Sequence, residues 1–240
     1  MKLGIMQPYF FPYVGYWQLL NAVDRFVIYD DVNYIKGGWI NRNRILINGK
    51  PSYITVPLYQ ASPNKRVCDI SLQSSPVWQG KMTKSIENAY RKSPFFAETF
   101  PIIEMMICYE TESLADFLAQ HLKALAGFLD IKTEFVMSSS LCQNNNLTGQ
   151  DRILDICKRE GATTYINPQG GQTLYGTEAF HNAGIDLRFI VMRPKPYKQR
   201  TFGFIPYLSI IDALMEIGSE GVKQYFEEFD LISGESINAQ

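Results

Sequence analysis

Strand, loop, helix and strand succeed one another within the first thirty residues, and that order restricts the chain more than any other feature. Lys2–Met6 is an apolar run of strand length, and the loop Gln7-Pro8-Tyr9-Phe10-Phe11-Pro12 holds two prolines that forbid regular helix. From Tyr13 to Ala22, Val14, Trp17 and Leu20 recur at helical spacing, and Arg25–Tyr29 is apolar and β-prone again. Two strands joined by a helical crossover run parallel. A parallel sheet must be covered on both faces, which demands a large apolar fraction. The 46% hydrophobic content of these 240 residues meets that demand.

The alternation returns later in the chain. Thr133–Met137, Thr163–Ile166 and Ile185–Val191 read as strands, with helices over 148–160, 177–182 and 208–217. Thr148 and Asp151 have the spacing of a capping box, and Gly161 is placed to end that helix. Between the two halves, Ser75-Pro76 starts a helix carrying Trp78, Met82, Ile86 and Tyr90 on one face. Ser93-Pro94 starts another, which Pro101 should break or kink, and a third over 113–129 puts His121 on an apolar stripe, as a core histidine. Asn48-Gly49 between Trp39–Ile47 and Ser52–Val56 is a hairpin signal, and Val67–Leu72 reads as a further strand. The expected fold is α/β: a Rossmann-like, largely parallel sheet with a β-hairpin and a helical insert. Residues 1–75 would form an N-terminal half with a basic hairpin, 76–130 an insert or cap, and 131–240 the half that completes the same sheet.

Charge and composition narrow the chemistry. Two remote histidines, His121 and His181, exclude a His-rich metal centre and give no ground for a Ser-His-Asp or Cys-His constellation, which disfavours covalent acyl-enzyme chemistry. Cys68, Cys108, Cys142 and Cys157 form no CxxC pair, so no metal site is expected. No apolar run is long enough to span a bilayer and no secretory signal opens the chain, so a cytoplasmic protein is expected. The net charge of −1 hides +7 over residues 1–92 and −8 over 93–240, with a basic island at Arg188, Arg193, Lys195, Lys198 and Arg200. Such zones suit a small phosphorylated ligand and are too modest for nucleic acid.

Ligands of open α/β sheets sit outside the carboxyl ends of the strands. That rule assembles a candidate site from Gln7-Pro8, Asp30-Asp31 and Asn167–Gly171, with the basic island opening on the same edge. Asp30 and Asp31 suit capping or substrate recognition better than metal binding. Lys36, Arg42 and Arg44 are candidate phosphate contacts, Arg42 and Arg44 sharing one strand face with Ile40 and Leu46. Gly170 and Gly171 would let backbone N–H groups approach an anion. Tyr13-Val14-Gly15-Tyr16 opens its helix where nucleotidylyltransferase-type enzymes carry His-x-Gly-His. Tyrosine can hydrogen-bond a phosphate but lacks the charge, which argues against plain adenylyl transfer.

The run Gly4-Ile5-Met6-Gln7-Pro8-Tyr9-Phe10-Phe11-Pro12-Tyr13-Val14-Gly15-Tyr16-Trp17 resembles the opening signature of the WbqC-like family. So do Phe26–Val32, Tyr34-Ile35-Lys36 and Trp39–Leu46, with weaker likeness at Ala89–Phe96, Tyr165–Asn167 and Leu208–Asp212. The resemblance implies a place in bacterial O-antigen or surface-polysaccharide assembly and, for some members, glycine transfer. The expected function is a transferase attaching glycine or another amino acid to a nucleotide-linked amino sugar, the carboxyl being activated either as an adenylate from ATP, alone or with Mg, or on an aminoacyl carrier. Roles then follow from chemistry. Lys36, Arg42, Arg44, Arg193, Lys198 and Arg200 would hold phosphates, with Asn167, Gly170 and Gly171 beside them. Asp30 or Asp31 would orient or deprotonate the amine, and Gln7 with Asn41 or Asn43 would donate to the acyl oxygen. Around Gly15, Tyr13, Tyr16 and Trp39 suit either a base or sugar face or aromatic core packing, the second being favoured for the set. The alternative is a non-catalytic binder of a nucleotide sugar or glycan precursor.

Overall fold

A computed structural model describes residues 1–73, 75, 77–141, 144, 146–193 and 195–234. Its centre is a six-stranded sheet. Strand β1 (Lys2–Met6) is followed by helix α1 (Val14–Ala22) and β2 (Arg25–Ile28). Next come the hairpin β3 (Arg42–Ile47) and β4 (Lys50–Thr55), and a short pair, β5 (Leu58–Tyr59) and β6 (Ser71–Leu72). Three helices, α2 (Val77–Tyr90), α3 (Phe96–Ile107) and α4 (Leu114–Phe128), lead to β7 (Glu134–Met137). The remainder is α5 (Ser138–Leu141), α6 (Gly149–Arg159), β8 (Thr164–Pro168), α7 (Thr177–Asn182), β9 (Asp186–Met192), α8 (Ile210–Lys223) and β10 (Phe229–Ser233).

The strand order is β10-β9-β8-β1-β2-β7, parallel throughout except for β10 against β9. The chain lays β2 and β7 on one side of β1 and β8 and β9 on the other, so the order reverses beside β1. Side chains alternate between two cores. Leu3, Ile5, Val27, Tyr165 and Phe189 pack with Ile153 and Ile156 of α6 and Phe180 of α7. Phe26, Ile28 and Ile166 face Trp17 of α1, Phe117 of α4 and Leu214 of α8. That second core also holds Ile86 and Ile103 of α2 and α3, so the helical segment packs on the sheet's own core. Among the described residues no helix is long and apolar enough to cross a membrane.

Several expectations need correction. Val67–Leu72 is a 3-10 turn at Val67–Asp69 followed by a two-residue strand, because Val67 and Cys68 donate to the carbonyls of Val32 and Asp30. Helix α3 continues through Pro101. The proline lies in its second turn, so one backbone bond, to the carbonyl of the exposed residue Ala97, is lost without ending the helix. Thr148 precedes α6 without a side-chain cap. Asn167-Pro168 belongs to the end of β8 rather than to a loop. Pro76, expected to open α2, lies outside the described residues, as does Cys142.

Candidate functional site

The loop after β1 is built by sending two rings one way and two the other. Phe10 and Phe11 enter the core, with Phe11 against the His121 ring at 4.9 Å and Phe10 stacked on Phe117 at 6.1 Å. This requires a left-handed backbone at Phe11 (φ 42°), an uncommon conformation for a bulky residue. It is held by Asn43, whose Nδ2 donates to the Phe10 and Phe11 carbonyls at 3.0 and 2.9 Å, and by Ser209 Oγ, which donates to Phe11 at 2.8 Å. Tyr9 and Tyr13 are thereby left facing outward. With Trp39, Asn43, Arg44 and Tyr207 they line a cavity of about 270 Å³ beside the carboxyl end of β1.

Arg44 is the charged group of this cavity. Its Nε is buried and has no hydrogen-bond partner among the described residues, and its guanidinium stands 5.6 Å from the Trp39 ring. A buried guanidinium N–H without an acceptor is costly unless a ligand supplies one. Arg42, on the same strand face, lies 4.3 Å over the Tyr53 ring, and Tyr53 pairs across the hairpin with Arg44. Burial pushes the Tyr13 hydroxyl up to about 12 and raises that of Tyr9, so both remain neutral O–H donors near pH 7. Tyr13 and Tyr207 meet edge to face at 5.7 Å on the rim, and Tyr207 also has a left-handed backbone (φ 58°).

The structure divides the expected site residues. Tyr13, Trp39, Asn43 and Arg44 meet at the cavity, and Arg42 lies next to it. Asn43 acts there as a brace, since both its amide hydrogens are committed and its Oδ1 accepts from Arg44 N at 2.8 Å. Asn41 is similarly occupied, donating to Val56 O and accepting from Tyr34 OH. Tyr16 is buried, its hydroxyl on the Gln7 carbonyl at 2.8 Å. A Cβ on Gly15 would overlap Met192, so this glycine seats α1 on the end of β9. Lys36 is exposed on the turn whose Gly37 and Gly38 carbonyls accept from Arg42.

Asp30 and Asp31 follow β2 as buried groups engaged on several sides. Asp30 accepts from Ser139 N and Oγ at 3.0 and 2.6 Å, joining the start of α5 to the sheet. Asp31 pairs with buried Arg152, which also lies 5.0 Å from the Tyr29 ring. Asn167 is buried against Tyr165, and Gly171 packs on its side chain, while Gly170 is exposed. Arg193 and Lys195 are ion-paired with Asp230 and Glu228. Lys198 and Arg200 are exposed, Arg200 near the hairpin tip. No group of three or more His, Cys, Asp or Glu residues converges as metal ligands among the described residues.

Four residues outside that set complete the arrangement. Tyr9 and Tyr207 wall the cavity, Ser209 pins its loop, and Asp212 anchors the segment that delivers Tyr207. Asp212 is fully buried and accepts from Tyr90 OH, Tyr197 OH and Gln199 Nε2 at 2.8, 2.8 and 2.9 Å. Burial holds its carboxyl above the ordinary range despite these donors.

Comparison with known proteins gives one family and one distant relative. The model of the WbqC-like protein family matches residues 7–224. An uncharacterised protein of Mycobacterium tuberculosis is 28% identical over 221 residues, covering 91% of this chain and 95% of the relative. No solved structure matches.

Proposed function

The chain belongs to the WbqC-like protein family, and from that premise we propose that it recognises a nucleotide-linked amino sugar of bacterial surface-polysaccharide assembly. The observation that carries this reading is the buried Arg44 Nε, without a hydrogen-bond partner among the described residues, in a cavity walled by Tyr9, Tyr13, Trp39 and Tyr207. Guanidinium matches phosphate oxygens, aromatic rings cover the flat or apolar face of a base or sugar, and neutral phenols donate to hydroxyls. At about 270 Å³ the cavity suits one ring, with the diphosphate lying along the Arg42–Arg44 face of the hairpin. The strand order supports a Rossmann-like reading of the sheet, whose ligands sit where the order reverses.

Transfer of glycine or another amino acid to the sugar amine, with ATP as activator, is the second reading. Left-handed backbone at Phe11 and Tyr207, on both sides of the cavity, favours it, since strain of this kind collects at reactive sites. Engagement of Asp30 and Asp31 away from the cavity favours binding without chemistry. Calorimetric titration with a panel of UDP-linked amino sugars tests recognition. Arg44→Ala should weaken binding roughly 10- to 100-fold, the loss of a charge-assisted hydrogen bond; unchanged affinity in a folded variant overturns the reading. Mass spectrometry of the same sugars with glycine and ATP separates the two, an amide product establishing the transferase.

A further inference from the structure

A second cavity, of about 320 Å³, lies further along the hairpin and outside the Arg44 site. Leu46, Asn48 and Gly49 of the hairpin form one wall, Asn88, Tyr90, Arg91 and Lys92 at the end of α2 another, and Arg200 closes it. Three cations thus converge from two chain segments more than a hundred residues apart, and none has an ion pair among the described residues. Arg91 and Lys92 alone would need no ligand, because cations at a helix C-terminus complement its dipole. Arg200 belongs to another element, and the same basic island pairs Arg193 and Lys195 with acids, whereas Arg200 has no ion pair among the described residues.

The cleft is fixed in place. Tyr90, its floor, is buried, accepts from Leu46 N at 3.0 Å and donates to Asp212. The Gly49 carbonyl accepts from Thr201 Oγ at 3.0 Å, which sets Arg200 against the hairpin tip. Glu216, the carboxyl that interacts with Arg200 and Lys198, is half-buried and held by Ser93 Oγ at 2.7 Å. Leu46 is two residues from Arg44 on the same strand, so the two cavities stand roughly 7 Å apart along the hairpin.

We infer that this cleft is a second anion-binding site, in which Arg91, Lys92 and Arg200 hold the phosphate group of a phosphorylated ligand. The inference stands independently of the Arg44 reading. Its test is calorimetric titration of the full chain with inorganic pyrophosphate in an Arg44→Gln background, which removes the neighbouring guanidinium. Arg44→Gln is expected to bind pyrophosphate still, and adding Arg91→Gln, Lys92→Gln and Arg200→Gln to weaken that binding about tenfold or more. Adding Lys81→Gln, Lys84→Gln and Lys132→Gln instead, three exposed cations elsewhere, should leave it unchanged. Loss of all binding in Arg44→Gln, or equal weakening by the two sets, overturns the site. Arg200→Gln alone, a change at an exposed side chain, gives the same reading in milder form should the multiple variant fail to fold.

Discussion

Gly15 and His121 illustrate what single residues contribute here beyond their chemistry. A Cβ at Gly15 would stand 1.7 Å from Met192 Sδ and 2.6 Å from the Tyr13 ring. Overpacking of this kind costs about 1–3 kcal/mol, against which alanine's better helix propensity returns about 1. Gly15→Ala should therefore lower stability modestly in urea titration, and should weaken ligand binding more clearly because Tyr13 is displaced from the cavity wall. Met192→Ala in the same chain should restore part of both. His121 makes a different statement. Its Nδ1 lies 2.6 Å from the Phe117 carbonyl, and burial lowers its pKa from 6.5 to about 4. The unfolded chain thus takes up a proton that the folded one refuses, and stability falls as pH drops from 6.5 towards 4, by roughly 3 kcal/mol at most. Urea midpoints across that range should show the fall, and His121→Gln, which keeps a donor, should flatten it; a parallel slope in the variant refutes the assignment. The apolar spacing around His121 was enough to foretell a core histidine. Arg44, Trp39 and Tyr13 were readable for their chemistry, whereas Ser209 and Asp212 were not, since their partners lie up to about two hundred residues away.

Elements were legible where their signal is local. Asn48-Gly49 specifies the hairpin because both residues adopt left-handed backbone (φ 52° and 73°), which a two-residue turn of matching twist requires. Strand β10, which pairs antiparallel with β9, has no comparable local signal; its pattern is weak and half-exposed. The segment 195–207 is the least legible, since it has no repeating hydrogen bonds and is held from outside. Gln199 clasps it by accepting from Ile205 N and donating to Ile205 O, and Tyr197 and Gln199 tie it to Asp212. This strap brings Tyr207 to one cavity and Arg200 to the other. In Asp212→Asn the new amide N–H group would face donors, leaving at least one buried donor unsatisfied at about 1–3 kcal/mol. Amide exchange across 197–207 should quicken about tenfold or more, with β1 and β8 unaffected, and affinity at the Arg44 cavity should fall. Unchanged exchange in the strap would show that something other than Asp212 holds it.

At the scale of the molecule, ion pairs join early and late parts of the chain. Arg25 of β2 pairs with Glu134 and Glu160, Asp31 with Arg152, and Asp130 with Lys223. The exposed pairs contribute little energy, and the buried Asp31–Arg152 pair is offset by its own desolvation, so the joining force is the sheet itself. Strand β1 lies between β2 and β8, and β2 between β1 and β7, so each half lacks the neighbours that cover its hydrogen-bonding edges. The larger core likewise runs from Phe10 and Trp17 through Ile86 and Phe117 to Leu214 and Phe226. The early βαβ order made a parallel sheet legible, but the place of residues 76–130 was not, because a helical stripe reveals that a face is buried and not against what. Residues 1–130 and 131–240 expressed separately should each lack a cooperative unfolding transition. Mixed, they should regain one, read from fluorescence of Trp17, buried in the shared core. The two halves would expose unpaired β1, β2, β7 and β8 edges, so aggregation of the separate pieces is the expected failure. A cooperative transition in residues 131–240 alone would mean that β8, β9 and β10 with α6–α8 form a core without β1, and that the sheet is assembled from two folding units rather than one.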